Sequence, residues 1–402
     1  MARLKTPGDP ALAIWVKANK VVERPITEIG ATGVSFDPAK LQFYTDRPSA
    51  IAILGTVGLI DQPGEYAFLP GRMAAVVMLP KGAHSVSIAA GRGGFDLGKA
   101  SHVQIRALTF AHMADDGGRL SSGVAIFEAA SGSEGIRIED NVFRDMVMLA
   151  GQGPIILRHV SDVVIRGNTI SSIMLGSGMR ITGPASHVKI TENRIDAIGR
   201  TGIMLMGIED GEVSGNLIRN ARGVHGNGIS AYLANHRLSF IANTVVDAER
   251  PATFHGNGAD DPIPNDIVFR NNLFQATPSG FAALISWGDF TRNVTIRNNV
   301  LVGGESGVRL SPKDINLEAR DNVLSGFVVT GELPSTWRIA DNRYVALSRQ
   351  QHRGVDAVDD KLAAEVAKML QTGQPGTAIC ALVTSGGTGA DDKRIGATMR
   401  CP

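Results

Sequence analysis

The stretch VVIRGNTI, residues 163–170, contains the pattern that decides the fold of this chain. Val163 and Ile165 alternate with other residues before Asn168, and Ile170 follows the asparagine, which is the period of a strand with one buried face. Eight other stretches repeat this pattern around an asparagine: IRIEDNVF, VKITENRI, GEVSGNLI, LSFIANTV, IVFRNNLF, VTIRNNVL, LEARDNVL and WRIADNRY. Their asparagines follow one another at intervals of 27, 25, 23, 27, 29, 27, 23 and 20 residues.

The nearly constant interval predicts a solenoid, in which each coil contributes a short strand, a sharp bend and a second strand. Every coil then buries its inward face against its neighbours. Asparagine suits the bend because it tolerates a left-handed backbone, and its amide can bond to the amide of the next coil. We therefore expect the nine asparagines to form a structural ladder with no catalytic role.

A coil of about two dozen residues with an asparagine ladder and inward Ile, Val and Leu resembles the pectate-lyase-like superfamily. The resemblance covers roughly residues 84 to 345 and implies an all-β fold, a right-handed parallel β-helix. It leaves the function open, because lyases, glycoside hydrolases, uronan epimerases and phage tailspikes share this scaffold.

The rest of the chain predicts the ends of the solenoid. Residues 1–83 are expected to form an N-terminal cap and irregular first coils, with a helix over ALAIWVKANKVV, residues 11–22. Residues 346–402 are expected to form a C-terminal helix and tail. Within them, apolar residues at helical spacing run from Val358 to Leu370, and Gly373 ends the helix.

Composition limits the partners and suggests a compartment. The chain has 40 Lys and Arg against 39 Asp and Glu, so it offers no long-range attraction to nucleic acid or to a membrane surface. No segment predicts a membrane span. The start, MARLKTPGDP, lacks the apolar core of a signal, which predicts either a cytoplasmic protein or a removed signal. Cys380 and Cys401 predict a disulfide in the tail and favour a periplasmic or extracellular location.

Substrate clefts in this superfamily follow one parallel sheet, here formed by the strand upstream of each asparagine run. If the aliphatic positions point inward, alternation turns a column of other side chains outward. This column comprises Arg158, Arg180, Thr182, Met204, Met206, Ser230, Tyr232, His255 and Arg309. The tetrapeptide His-Gly-Asn-Gly occurs twice, at 225–228 and at 255–258, on either side of Tyr232. The sequence therefore predicts a polysaccharide substrate on this face.

The residue types fit β-elimination on a uronic-acid polymer. Arg158 or Arg180 would pair with the substrate carboxylate and lower the cost of carbanion character at C5. His255 would take the C5 proton, and Tyr232 would protonate the leaving glycosidic oxygen or exchange roles with the histidine. The remaining expected substrate contacts are His225, Met204, Met206, Asn257, Trp287 and Arg309.

The turn after His255 contains GADDPIPND, residues 258–266. Its Asp260 and Asp261 could bind Ca²⁺, as in the calcium-assisted lyases of this superfamily, or supply hydrolytic acids. A proline-stiffened polar loop is the alternative interpretation. No cofactor other than Ca²⁺ is expected.

Two other functions are compatible with the sequence. A glycoside hydrolase would take its acids from Asp260, Asp261, Glu209 or Asp289, although VHGNG at 224–228 precedes GADD at 258–261, the reverse of the order in polygalacturonases. The aspartate-rich motif of alginate epimerases is missing, but Tyr232 with His255 suits epimerase chemistry. A noncatalytic glycan-binding or tailspike-like module would instead use Met204, Met206, Tyr232 and Trp287 as a sugar platform.

Overall fold

The computed structural model describes residues 2–17, 20–42, 50–69, 74–83, 93–114, 123–125, 132–148, 151–223, 225–256, 265–287, 290–311, 313–346, 358–383 and 394–401. The chain divides into two compact units, Met1–Ile88 and Ala89–Pro402. In the described residues, no helix is long and apolar enough to cross a membrane.

The first unit contains a four-stranded antiparallel sheet and a separate two-stranded one, so the predicted helix over residues 11–22 is wrong. That segment instead forms a hairpin, in which Ile14 pairs with Val22. The large apolar residues Leu12, Ile14 and Val16 occur at every second position and pack in one core cluster, which is the period of a strand. The elements are β1 (Gly8–Lys17), β2 (Lys20–Ile29), β3 (Val34–Phe36), β4 (Ile51–Thr56), β5 (Tyr66–Leu69) and β6 (Ala74–Val77), with 3₁₀ helices at Ala2–Lys5 and Val57–Leu59. The strand order of the four-stranded sheet is β3-β2-β1-β4, and β5 and β6 form the two-stranded one.

The second unit is the solenoid. Its early strands are β7 (Phe95–Asp96), β8 (Gln104–Arg106), β9 (Thr109–Ala111), β10 (Val124–Ala125), β11 (Ser133–Glu134), β12 (Arg137–Glu139), β13 (Val142–Val147), β14 (Ile155–Arg158), β15 (Val160–Arg166), β16 (Thr169–Met174), β17 (Met179–Thr191), β18 (Arg194–Ile198), β19 (Ile203–Ser214) and β20 (Leu217–Ala221). The later ones are β21 (Asn227–Ala231), β22 (His236–Ile241), β23 (Thr244–Ala248), β24 (Arg250–Phe254), β25 (Ile267–Arg270), β26 (Leu273–Ala276), β27 (Ala282–Ser286), β28 (Thr291–Arg297), β29 (Val300–Gly303), β30 (Ser306–Leu310), β31 (Asp314–Arg320), β32 (Val323–Leu324), β33 (Phe327–Val329), β34 (Arg338–Ala340) and β35 (Arg343–Tyr344).

These strands pair in parallel with the equivalent strands of the next coil. A 19-stranded sheet holds the two strands of each coil that precede the asparagine, and a 10-stranded sheet holds the strand that follows it. β17 and β19 each run through both parts of the larger sheet, with a register irregularity between Thr182 and Ala185. One continuous apolar core of Ile, Val, Leu, Phe and Met fills the interior.

The predicted asparagine ladder is confirmed. All nine amides are buried, and the first eight each donate from Nδ2 to the Oδ1 of the next ladder asparagine at 2.9–3.1 Å, from Asn141 to the last acceptor, Asn342. The backbone N–H of each asparagine donates to the same Oδ1, as Asn193 does to Asn216 at 3.0 Å. The second N–H of each Nδ2 group donates to a backbone carbonyl of the preceding coil, as that of Asn216 does to the carbonyl of Ile190. An interior amide thereby satisfies both donors and both lone pairs.

The left-handed bend lies one residue before each ladder asparagine, and not on the asparagine as expected. Glu192 (φ 58°), Gly215 (φ 62°) and Ala242 (φ 52°) are examples. The preceding residue takes the strained conformation because the asparagine must turn its side chain into the ladder. The N–H of the bend residue bonds the next coil, as Ala242 does to the carbonyl of Arg270 at 3.0 Å.

The predicted C-terminal helix is confirmed as α1 (Asp360–Thr372), which ends at Gly373 with φ 71°. It lies along the side of the solenoid, where its buried residues Leu362, Val366 and Met369 pack against the 10-stranded sheet. A second helix, α2 (Thr377–Val383), and the strands β36 (Arg394–Ile395) and β37 (Met399–Arg400) complete the tail.

The predicted disulfide between Cys380 and Cys401 is also confirmed, with 5.4 Å between the two Cα atoms. The tail is further held by the solenoid, since the N–H of Ala397 donates to the buried Thr244 hydroxyl at 2.8 Å. The described residues of the tail therefore lie against the outer face of the 10-stranded sheet.

Replacing Asn216 with Ala should destabilise the solenoid by about 3 kcal/mol, because it leaves several buried donors and acceptors without partners. Chemical denaturation followed by circular dichroism measures this change. Asn342→Ala is the matched control: this asparagine ends the ladder, so we expect a loss of only about 1 kcal/mol. Equal losses in the two variants would show that the ladder does not act as a continuous chain.

Candidate active site

Two columns of side chains run along the outer face of β14, β17, β19, β21, β24, β27 and β30. Strand register aligns the members of each column from coil to coil. The first column comprises Ile156, Arg180, Met204, Ser230, Thr253, Ile285 and Arg309. The second lies two residues further along each strand and comprises Arg158, Thr182, Met206, Tyr232, His255 and Trp287.

The expected outward direction of this face is correct. The arginines, the methionines, Tyr232 and His255 are partly exposed, whereas the alternate positions Ile181, Leu205 and Phe254 are fully buried. Ile156, Thr253 and Ile285 of the first column are buried, and so is Ser230, with 6% of its surface exposed. It lies against Thr253, whose hydroxyl donates to Ser230 Oγ at 3.0 Å.

Tyr232, His255 and Trp287 lie in consecutive coils and form one aromatic group. The rings of Tyr232 and His255 meet edge to face with 4.6 Å between centroids. The rings of His255 and Trp287 are stacked with 6.4 Å between centroids. The two proposed proton-transfer residues are therefore adjacent, and Trp287, 42% exposed, lies on the far side of His255.

Arginines make the neighbouring part of this face strongly cationic. Arg180 is fixed by hydrogen bonds from Nη1 to the carbonyl of Gly151 at 3.0 Å and from Nε to Thr182 Oγ1 at 3.3 Å. Burial, followed by repulsion from Arg158, lowers its pKa. Burial, followed by repulsion from Arg180, lowers the pKa of Arg200. Within the described residues neither Arg180 nor Arg200 forms an ion pair with a carboxylate.

His225 lies in the turn before β21 and continues this cationic series. Its backbone is left-handed, with φ 58°, and its carbonyl accepts a hydrogen bond from the Thr201 hydroxyl at 3.1 Å. Its pKa is lowered first by burial and then by electrostatic repulsion from the neighbouring Arg200, Arg250 and His255. Because a pKa below the ordinary value favours the neutral ring, His225 can accept a proton at neutral pH.

An aromatic platform lies at the other end of the face. Phe281 and Trp287 are partly exposed, with 6.2 Å between their ring centroids. The guanidinium of Arg250 lies 5.6 Å from the Trp287 ring, and that of Arg309 lies 5.1 Å from the Phe281 ring. Cations and aromatic faces together suit a sugar that bears a carboxylate.

Some of the site residues predicted from the sequence lie elsewhere on the sheet, and others lie outside the residues that the structure describes. Asn257, Asp260, Asp261 and Asp289 lie outside the described residues. Glu209 lies on the next part of the sheet, where it binds Arg237. In the described ranges no group of three or more His, Cys, Asp or Glu side chains could hold a metal ion.

Three residues of the face were missed in the sequence. Arg200 and Arg250 lie just before or at the start of their strands, and Phe281 precedes β27 directly. A search confined to the alternating residues within each strand omits them, because they lie before or at the first residue of their strands. Aligning the turn that precedes each strand would have shown Arg200, His225 and Arg250 in successive coils.

The comparisons with known proteins agree with this architecture. The sequence matches the model of a family described as right handed beta helix region over residues 122–301. The solenoid of the second unit is a right-handed parallel β-helix. No curated protein matches the sequence.

Among solved structures, one titled "Glycoside hydrolase" has a TM-score of 0.50 and 8% identity, and the match covers 89% of this chain and 71% of that one. Another, the catalytic unit of a thermostable GH87 alpha-1,3-glucanase from Streptomyces thermodiastaticus, has a TM-score of 0.31 and 12% identity. That match covers 88% of this chain and 87% of the other. At 8% sequence identity, the similarity to the first of these structures shows a similar fold only.

We expect His225 to titrate below its ordinary value of 6.5 in an NMR titration of the folded protein. Arg200→Gln should raise this pKa, because removing a nearby cation favours the imidazolium ion. Arg194→Gln is the control, since Arg194 is exposed on β18 in the other sheet and should leave the titration unchanged. A lower or unchanged pKa in Arg200→Gln would show that Arg200 does not act on His225.

Proposed function

We propose that the protein is a polysaccharide lyase that cleaves a uronic-acid-containing glycan by β-elimination. The observation that carries this proposal is a series of neighbouring basic side chains, Arg180, Arg200 and His225, that leads to His255 in the Tyr232–His255 contact. Adjacent cations repel each other, and an anionic substrate would relieve that repulsion. The sugar carboxylate is the group that such a site would bind.

The arginines would act on the carboxylate of the uronate. When a base removes the proton from C5, negative charge spreads onto this carboxylate. Guanidinium groups stabilise that charge more strongly than they stabilise the ground state, which lowers the barrier. Arg158 and Arg180 lie one coil apart in neighbouring columns and are the residues proposed to bind it.

The proton transfers would be made by His255 and Tyr232. A neutral His255 would take the C5 proton, the C4–O bond would break as a C4–C5 double bond forms, and the tyrosine hydroxyl would protonate the departing glycosidic oxygen. Both rings lie on the same face, so the proton would leave and the oxygen would be protonated from one side. His225, Met204, Met206, Trp287 and Arg309 are proposed as substrate contacts, together with Asn257.

His255→Ala and Tyr232→Phe should each lower kcat by at least about 10²-fold, as the loss of a general acid or base does. Single-turnover kinetics on the polymer that the wild type cleaves measures this loss. Ser239→Ala, an outward serine on β22 away from the face, serves as the control and should retain full activity. Near-normal turnover in both site variants would remove these residues from the mechanism.

A glycoside hydrolase is the second candidate, because a solved structure of similar fold bears that title. Its acids would come from Asp260, Asp261, Asp289 or Glu209, and water would be added across the glycosidic bond. No unsaturated sugar would form. The two reactions therefore differ in their products and can be separated by one assay.

Incubation with a panel of uronic-acid polysaccharides should generate the ultraviolet absorbance of an unsaturated uronate. New reducing ends without that absorbance would identify a hydrolase. Altered uronate stereochemistry at constant chain length would identify an epimerase, and binding with no chemical change would identify a noncatalytic module. Repeating the assay with and without added calcium tests whether Asp260 and Asp261 bind Ca²⁺, which remains a proposal.

A periplasmic or extracellular location is likewise a proposal. The disulfide between Cys380 and Cys401 supports it, because such bonds persist in oxidising compartments. A glycan substrate outside the cytoplasm would agree with that location.

A further inference from the structure

A second groove lies beside the cationic face, where the larger sheet bends between its two parts. It has a volume of about 1040 Å³, which is close to the upper end of the range of ordinary ligand sites. Met206 belongs to the second column of the candidate site and also lines this groove. The two surfaces therefore adjoin along that methionine.

One wall of the groove is a column of polar side chains aligned by strand register. Glu134 pairs with Ser161, Ser161 with Ser186, Ser186 with Glu209, and Glu209 with His236. Adjacent members are one strand spacing apart, so the column spans roughly 19 Å. Hydroxyl and carboxylate groups repeated at this spacing can hydrogen bond several hydroxyls of an extended sugar chain.

The other wall is apolar and close to the backbone. Pro184, Met206 and Leu233 line it, together with Gly183 and Gly207. A Cβ at Gly183 would lie 1.7 Å from the carbonyl oxygen of Gly207, so this wall has room for glycine only. Apolar and polar groups that line one groove suit a sugar ring, which has apolar faces and a polar edge.

Buried asparagines hold the bend in place. The N–H of Ile208 donates to Asn235 Oδ1 at 3.1 Å, and Asn265 Nδ2 donates to the carbonyl of Asn235 at 3.0 Å. The N–H of Arg292 then donates to Asn265 Oδ1 at 3.0 Å. This second, shorter series of amides fixes the groove before any ligand arrives, which reduces the ordering cost of binding.

The charge of the groove differs from that of the neighbouring face. Its two carboxylates already have partners: Glu209 binds Arg237, and Glu134 lies 3.3 Å from His102. Paired carboxylates still accept hydrogen bonds from hydroxyl groups but add little net charge. An anionic sugar gains no attraction from these paired carboxylates, and its own carboxylate finds no arginine in this groove's lining.

We propose that this groove binds uncharged sugar residues, so that the preferred glycan carries neutral sugars next to its uronic acids. The second clause rests on the proposed function, because it assumes that the uronate occupies the cationic face. The first clause stands on the groove alone. A neutral branch of the glycan, or a neutral sugar next to the uronate, would pass over Met206 from the cationic face into the groove.

Titration calorimetry with the neutral hexasaccharides of cellulose, mannan, xylan and starch tests the groove directly. Ser186→Trp and Ser161→Trp should each weaken binding at least about tenfold by filling the groove, the size of effect that steric exclusion from a shaped pocket produces. Ser239→Trp is the matched control on β22, beyond the groove lining, and should bind like the wild type.

Failure of all four oligosaccharides to bind, or equal binding by wild type and both groove variants, would overturn the proposal. For the second clause, Ser186→Trp should slow cleavage of xanthan and gellan, which contain neutral and acidic sugars, and spare polygalacturonate and alginate. Equal slowing of all four polymers would contradict it. A wild type that binds neutral oligosaccharides in the groove but cleaves no polymer would refute the lyase and support the groove.

Discussion

The buried asparagine ladder is the interaction on which the rest of the structure depends. Each interior amide uses its two donors and its two lone pairs on neighbouring coils, and all of them are shielded from water. An amide satisfied in this way cannot move by one residue without leaving buried polar groups unpaired, which is costly. The ladder therefore fixes the register of every coil against the next.

Fixed register is what turns separate residues into a site. Tyr232, His255 and Trp287 are many residues apart in the sequence, yet they occupy one column because each follows its strand at the same position. Differences in coil length are absorbed by the turns, since the asparagines and their flanking strands stay aligned. The turn before β21 can thus place His225 between arginines without disturbing the core.

The two outer surfaces show how charge is distributed in a protein whose overall charge is close to zero. Arginines and histidines collect along β14 to β30, whereas the adjoining groove holds serines and paired carboxylates. The net charge of +1 does not reveal this separation, because it adds the charges of both surfaces together. Local fields near the substrate, and not the total charge, decide which sugars each surface can bind.

Patterns in the sequence were enough to predict the solenoid, its asparagine ladder, the outward direction of the Tyr232 and His255 column and the C-terminal helix. All of these are repeated or strictly periodic patterns, and a period of two or of 3.6 residues specifies which side chains are buried. Other features became known only from the three-dimensional fold. Residues 11–22 form a strand hairpin, and the residue before each ladder asparagine makes the bend. Arg200, Arg250 and Phe281 belong to the candidate face. The groove between the two parts of the sheet could not be predicted from the sequence either. These features arise from turns and from contacts between coils, where position depends on how neighbouring coils stack and not on the order of residues along one strand.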